Sequence, residues 1–158
     1  MRFVFSVVVA TTFTLSATTS HAQLAMSASG GRSDCGGNSV NVIDGTGELD
    51  LTGDCDKVSI VASGVEVYIA EANVVEIIGD NTTVTVETRL KELYAVGSGN
   101  TVILADVESM HVNGDRNRID ATTAVQVGGV GTGNTVRWRE GDPVVEFPVP
   151  GNTYGKAR

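Results

Sequence analysis

The sequence predicts an all-β protein, built as a β-solenoid (β-helix) with 17–18-residue repeats. Three observations lead to this prediction. A turn motif rich in Gly, Asn and Asp recurs, apolar residues alternate with polar ones around each copy, and equivalent positions in different copies carry similar residues. A short fixed period is typical of folds in which each repeat buries its apolar side against its neighbours.

Four copies of the turn motif begin at Gly79, Gly97, Gly114 and Gly131, at steps of 18, 17 and 17 residues. A tight turn needs at least one residue at positive φ, where glycine has no Cβ penalty and Asn or Asp is tolerated. A degenerate fifth copy is predicted at Gly53, which lies 26 residues before Gly79.

Strands are predicted on both sides of each turn, because apolar residues stand two positions apart there. The stretch from Arg89 to Tyr94 would also suit one helical turn, but the repeat register assigns it to a strand. Counted from the lead glycines, the predicted core columns are Leu49, Val75, Leu93, Met110 and Val127; Leu51, Ile77, Ala95, Val112 and Gly129; Val58, Val84, Val102, Ile119 and Val136; and Ile60, Val86, Leu104, Ala121 and Trp138.

An antiparallel β-meander or barrel is the alternative architecture, since short Gly/Asn turns also connect hairpins. Identity within columns favours the solenoid, where equivalent residues stack directly. The 26-residue step leaves two solenoids open, a two-faced coil with an insertion and a three-faced coil of about 26 residues.

The chain is expected to divide into four parts. Residues 1–22 are predicted to be a signal peptide cleaved before Gln23, residues 23–52 an N-terminal segment and cap, and residues 53–141 the repeat domain. Residues 142–158 are predicted to be a C-terminal cap and tail, with an extended strand over Asp142–Pro148 and a frayed end from Gly151 to Arg158. The mature protein is therefore expected to be periplasmic or secreted, soluble and without a membrane span.

The two cysteines, Cys35 and Cys55, are predicted to form a disulfide that ties the N-terminal segment to the first repeat. An even cysteine count in an exported chain favours this over a redox thiol.

The formal net charge of −8 at pH 7 argues against nucleic-acid or anionic-membrane binding, which need a positive surface. The partner, if the protein has one, is expected to be a basic protein of the envelope.

No catalytic, cofactor-binding or metal-binding residue is predicted. His111 is interpreted as a surface histidine, because one histidine without a cysteine pair cannot build the usual zinc site. Calcium binding is a weaker hypothesis, since the nonapeptide of calcium-binding β-rolls is absent. It would use the turn residues and the loop Asp44–Asp50; those turn residues are Asp54, Asp56, Asp80, Asn81, Asp115 and Asn117.

Two surface patterns could in principle serve binding or catalysis. A threonine row that could bind ice or crystalline surfaces comprises Thr83, Thr85, Thr101 and Thr135, and it is interrupted by Arg118 and Asp120. Carboxylates for glycoside cleavage could come from Glu66, Glu76 and Glu92, but no motif pairs them. An enzyme is therefore not expected.

The repeats resemble an uncharacterised bacterial exported family, domain of unknown function 3060. The resemblance rests on the segments Val75–Val84 and Val96–Val102, and it covers roughly residues 50–138. It implies an exported all-β repeat domain and no activity.

The favoured hypothesis is an exported, non-catalytic binding protein of the bacterial envelope, in one form an inhibitor or immunity protein. Two alternatives remain open: a cell-wall glycan-binding or glycan-cleaving protein, and a structural surface protein that self-associates end to end. The sequence does not determine the oligomeric state.

Overall fold

A computed structural model describes residues 22–146 and 150–157. These residues form a parallel sheet of twelve strands wound into a β-solenoid of about eight coils, and no helix that could span a bilayer occurs among them. The strands are β1 (Gln23–Ala28), β2 (Gly31–Asp34), β3 (Ser39–Gly45), β4 (Glu48–Ile60), β5 (Glu66–Ile78), β6 (Thr83–Val86), β7 (Leu90–Val96), β8 (Thr101–Asn113), β9 (Arg118–Val130), β10 (Thr135–Glu140), β11 (Val144–Val145) and β12 (Thr153–Lys156).

Each coil has two flat faces, joined on one side by a bend and on the other by the Gly/Asn turn. Face 1 consists of β2, β6, β10, β12 and the first parts of the long strands β4, β5, β8 and β9. Face 2 consists of β1, β3, β7, β11 and the second parts of the same long strands. The predicted solenoid is therefore confirmed, and the coil is two-faced.

The core lies between the two faces. Alternate side chains of each strand point inward, so the burial pattern of β6 and the start of β8 reads buried at every second residue. The columns predicted from Gly79 onward are confirmed. Val84 pairs with Val102, Val102 with Ile119 and Ile119 with Val136, all in parallel register and all buried.

The predicted repeat copy at Gly53 is wrong in its register. Gly53 lies in the bend of its coil, at a register shift between Leu51 and Asp54, and not in a Gly/Asn turn. Its φ of 74° explains the error, because a bulged bend uses the same positive-φ glycine as a turn. Leu49 and Leu51 therefore pair with Val67 and Ile69 on face 1. Val58 and Ile60 pair with Val75 and Ile77 on face 2.

The position equivalent to Gly79 in the preceding coil is Ala62, 17 residues earlier. The 26-residue step therefore disappears: neither an insertion nor a three-faced coil is present. Because an alanine occupies this turn, its sequence does not show the glycine motif.

Both ends of the described chain contribute rungs to the solenoid. In the N-terminal segment, β1 pairs with β3 and β2 pairs with β4, each in parallel. At the other end, β11 pairs with β9, and Thr153–Lys156 pairs with Thr135–Trp138. The predicted frayed end is therefore wrong, since it contains β12. Residues 1–21 of the predicted signal peptide, and residues 147 and 148 of the predicted capping strand, lie outside the described residues.

Successive turns approach each other so closely that the first residue of the motif has no room for a side chain. A Cβ on Gly97 would collide with the carbonyl oxygen of Gly79, and one on Gly114 would collide with that of Gly97. Gly97 and Gly114 also have φ values of 131° and 129°, which other residues rarely adopt. Glycine is required at these positions for two independent reasons.

The last residue of each motif forms an asparagine ladder inside the turn column, made of Asn100, Asn117, Asn134 and Asn152. Each side-chain oxygen accepts the backbone N–H of the equivalent residue one coil earlier, as in Asn100 N to Asn117 Oδ1 at 2.9 Å. Each Nδ2 donates to the carbonyl of the lead glycine one coil earlier, as in Asn117 Nδ2 to Gly97 O at 2.8 Å. The ladder satisfies turn backbone groups that the strand hydrogen bonds do not reach.

Thr82 begins this ladder in place of an asparagine. Its N–H donates to Asn100 Oδ1 at 2.9 Å, and its hydroxyl donates to the Ala62 carbonyl at 3.1 Å. The ladder therefore begins in the turn that starts at Gly79, where Thr82 reaches back to the Ala62 carbonyl, and it continues to the turn before β12.

Cys35 and Cys55 form the predicted disulfide, with a sequence separation of 20 residues. Both are fully buried, and they join the bends of two neighbouring coils. Disulfides are typical of proteins in oxidising compartments.

We expect Asn117→Ala to lower the free energy of unfolding by about 2–4 kcal/mol, because it leaves the Asn100 N–H and the Gly97 carbonyl without their partners. Urea denaturation followed by circular dichroism measures this. The control is Asn113→Ala, an exposed asparagine on face 2, which should change stability by less than about 0.5 kcal/mol. Equal effects of the two variants would contradict a structural role for the ladder.

Reduction of the disulfide should lower the free energy of unfolding by about 2–4 kcal/mol, because the closed loop restricts the unfolded chain. Urea midpoints measured with and without dithiothreitol test this. The double variant Cys35→Ala/Cys55→Ala should show one midpoint in both conditions, and an unchanged midpoint of the unsubstituted protein would contradict the expectation.

Candidate functional site

The exposed large hydrophobic side chains of the described residues are concentrated on face 2. Ile103 lies on face 1 and Val125 lies in a bend. The others, all on face 2, are Ile43, Val61, Ile78, Tyr94, Val96, Val130 and Val144. A contiguous apolar patch on a water-exposed surface is characteristic of a binding site.

Five of these residues form one line along the solenoid, which we call the apolar column: Ile43, Val61, Ile78, Val96 and Val130. Ile78 pairs with Val96. Because successive side chains of a strand point to opposite sides and the preceding residues, Ile77 and Ala95, point inward, Ile78 and Val96 point outward. Asn113 pairs with Val96 and Val130 and is the one polar member of the line. Since rungs are about 4.8 Å apart, the column is a straight apolar ridge along several coils.

An aromatic pair lies beside the apolar column, two residues away along the strand. The rings of Tyr94 and His111 stack with centroids 5.5 Å apart and planes inclined by 15°. Gly128 follows His111 in the same column, and a Cβ there would lie only 3.6 Å from the imidazole Cδ2. Gly128 is itself buried, and the Cβ of Glu146, the next residue in this column, would lie 3.8 Å from a Cβ on Gly128.

A charged cluster occupies the same face toward the N-terminus. Lys57 Nζ lies 2.8 Å from Glu76 Oε2, and the Ser59 hydroxyl donates to the same oxygen at 3.1 Å. The hydrogen bond from Lys57 is the main cause that lowers the pKa of Glu76 below its ordinary value of 4.5, and the Ser59 hydroxyl adds to it. The carboxylate of Glu76 is thus held in its ionised form by its neighbours.

The bends between face 1 and face 2 form the border of face 2 opposite to the apolar column, which lies beside the Gly/Asn turns, and we call this edge the acidic bend. Its basic residues are Arg89, which pairs with Glu108 at 3.0 Å, and Lys91. Its carboxylates are Asp54, Asp56, Glu71, Glu87, Asp106, Glu108, Glu140 and Asp142. This excess of negative charge lies along one border of face 2.

The turn aspartates that could have bound calcium act as hydrogen-bond acceptors between coils. Asp80 Oδ1 accepts the Ser98 N–H at 2.6 Å, and Asp115 Oδ1 accepts the Thr132 N–H at 2.7 Å. The backbone N–H and the hydroxyl of Thr132 lower the pKa of Asp115. Within residues 22–146 and 150–157, no group of three or more His, Cys, Asp or Glu side chains is placed to hold a metal ion.

The other candidate residues are not brought together. Glu66 lies on face 1, whereas Glu76 and Glu92 lie on face 2, so the three carboxylates do not share a groove. The threonine row lies on face 1, where Thr101 pairs with Arg118 as its sequence indicated.

The apolar column is the feature that sequence reasoning missed. Its signal was present, since Ile78, Val96 and Val130 each precede the lead glycine of a turn by one residue. The alternation pattern comprises apolar residues that stand two positions apart. Ile78, Val96 and Val130 each directly follow an inward position, so they lie outside this pattern.

The sequence profile of one family, described as "Protein of unknown function (DUF3060)", matches residues 95–147. The predicted resemblance is thus confirmed over a stretch that begins later than expected, in β7, and ends beyond β11. No curated protein and no solved structure matches the chain.

We expect Lys57→Met to raise the pKa of Glu76 toward 4.5 and to cost about 0.5–1 kcal/mol of stability at neutral pH. Because the pKa of Glu76 is lower in the folded chain than its ordinary value of 4.5, the ionised carboxylate stabilises the fold at pH values above 4.5. This contribution is lost as the pH falls through the lowered pKa. The stability difference between the two proteins should therefore vanish in acid.

NMR titration of the Glu76 carboxyl and urea denaturation at neutral and acid pH measure these effects. Lys91→Met is the control, because no carboxylate of the described residues lies within 4 Å of Lys91. A stability difference that persists unchanged in acid would contradict the assignment.

Proposed function

We propose that the protein is an exported, non-catalytic binding protein of the bacterial envelope, and that face 2 docks a basic protein partner. The apolar column carries this proposal, since it places exposed β-branched side chains in one line on an otherwise polar solenoid. Protein interfaces are organised around an apolar centre with a polar rim.

The acidic bend supports a basic partner. It lies along the border of face 2 opposite to the apolar column, so a protein that covers the full width of face 2 would contact apolar side chains at one border and carboxylates at the other. Electrostatic complementarity of this kind speeds association and excludes acidic competitors. An inhibitor or immunity protein that binds a basic enzyme or toxin is one form of this function.

The rigidity of the scaffold also favours binding over catalysis. Ile78 and Val96 lie on strands that are hydrogen-bonded on both sides, so little conformational entropy is lost there when a partner binds. The disulfide Cys35–Cys55 and the predicted signal peptide favour a periplasmic or secreted location.

A second candidate function, the binding of a cell-wall glycan, is favoured by one observation. Tyr94, which stacks on His111, is exposed and presents aromatic surface on face 2. Aromatic side chains of this kind combine a flat apolar body with a polar tip, which suits a sugar ring.

The test uses the triple variant Val61→Thr/Ile78→Thr/Val96→Thr, which removes apolar surface while it keeps β-branched side chains that suit a strand. Immobilised residues 23–158 are exposed to an envelope extract, and the retained protein is identified and titrated. We expect the triple variant to weaken its Kd by roughly 30-fold, about 2 kcal/mol of lost apolar burial.

The matched control is Ile103→Thr, the same change on face 1, which should leave the Kd unaltered. Equal retention by the triple variant would contradict docking on face 2. Retention of glycan, lost in Tyr94→Ala, would instead support the second candidate.

A further inference from the structure

Charge is segregated along face 1, which has eight rungs counted from the N-terminus. On their outward strand positions, rungs 1–4 carry Arg32 against the carboxylates of four acidic residues, a formal charge of −3, whereas rungs 5–8 carry three arginines against Asp120, a formal charge of +2. The acidic residues are Asp34, Glu48, Asp50 and Glu66, and the arginines are Arg118, Arg137 and Arg139.

The centre of face 1 carries no charge on its outward strand positions. Rung 4 presents Thr83 and Thr85, and rung 5 presents Thr101 and Ile103. Face 1 is thus negative toward one end, neutral in the middle and positive toward the other end, although the chain as a whole is acidic.

The positive end is not neutralised by the described part of the chain. Arg118 is paired with Asp120 at 2.7 Å, but no carboxylate of residues 22–146 and 150–157 lies within 4 Å of Arg137 or Arg139. A cavity of about 600 Å³ opens here, where Arg118, Arg137 and Arg139 outnumber the one carboxylate of its lining, Asp120. Gly155 follows Arg137 in its column and does not cover the guanidinium.

This pattern is complementary to itself under one two-fold rotation. An axis parallel to the strands, midway between rungs 4 and 5, places two copies face to face and brings rung n of one copy onto rung 9 − n of the other. Positions along the strand are preserved, so Asp50 on rung 2 meets Arg137 on rung 7. Glu66 on rung 3 likewise meets Arg118 on rung 6. Each contact occurs twice, as in any isologous interface.

We propose that face 1 is a self-association surface through which two copies of the chain form an antiparallel, face-to-face dimer. With a rung spacing of about 4.8 Å and four residues per rung at about 3.3 Å each, face 1 measures about 13 by 38 Å. Two copies would bury about 1,000 Å², which is near the lower limit for a specific interface. The dimer is therefore weak and is weakened further by salt, which screens its ion pairs.

This assembly differs from end-to-end stacking. End-to-end contacts are heterologous and give open filaments, whereas the two-fold arrangement closes at two copies. The dimer goes beyond the proposed function, because it uses the face opposite to the apolar column.

The test is sedimentation velocity of residues 23–158 over a range of protein concentrations, at about 25 mM and about 300 mM salt. We expect a concentration-dependent dimer that is weaker at the higher salt. Glu66→Arg and Arg118→Glu should each weaken dimerisation by about tenfold or more, because each places like charges opposite one another twice.

Two combinations make the test specific to this geometry. The double variant Glu66→Arg/Arg118→Glu restores opposite charges at both contacts and should dimerise like the original protein. An equimolar mixture of the two single variants should form a mixed dimer for the same reason. Glu92→Arg, the same charge change on face 2, is the control and should have no effect.

A monomer at all concentrations in low salt would overturn the proposal, and so would single reversals without effect or a double variant that stays monomeric. A monomer that instead binds citrate in a manner lost in Arg137→Ala would show that the arginines form an anion site. These outcomes leave the proposed function untouched, because partner binding is measured on face 2.

Discussion

The structure depends on how closely the backbone of one turn lies upon the backbone of the next. The carbonyl of Gly79 occupies the space that a Cβ on Gly97 would need, and the same holds for Gly97 and Gly114. At this distance the turn backbone groups of neighbouring coils can be joined by a single amide side chain, which is the role of Asn100, Asn117 and Asn134. Close stacking and the asparagine ladder require each other, since a wider turn would leave buried N–H and C=O groups unpaired.

This stacking fixes the register of both faces, and the register decides what the surface can do. Once the turns coincide, residues one coil apart are neighbours about 4.8 Å away, whatever their chemistry. Ile78 therefore adjoins Val96, Tyr94 adjoins His111, and Arg118 lies between Thr101 and Thr135. The surface of the molecule consists of columns, and each column can be changed without altering the core behind it, because side chains alternate between the two sides of each strand.

The period and the alternation were sufficient to predict the solenoid and the core columns after Gly79, and the even cysteine count was sufficient to predict the disulfide. They were insufficient at Gly53, because positive-φ glycines serve bulged bends as well as turns, and Ala62 hides the true equivalent turn. The frayed end was predicted because chain termini are usually poorly ordered, whereas the preceding rung holds the short strand Thr153–Lys156 in place. The asparagine ladder and the apolar column depend on which way a side chain points at the coil edge, and a period alone does not specify this.

The two-faced coil separates the two surfaces by the full thickness of the core. Face 1 and face 2 lie on opposite sides of the buried columns, so contacts on one do not compete for space with contacts on the other. In a dimer joined through face 1, the two apolar columns lie on opposite outer surfaces of the dimer. They run in opposite directions along the solenoid axis. Such a dimer would bind two separate partners or bridge two sites of one assembly. When both sites belong to one partner with repeated binding sites, the second contact forms within a complex that already exists. Modest affinity at each site then suffices, because linked sites raise the effective concentration of the second contact.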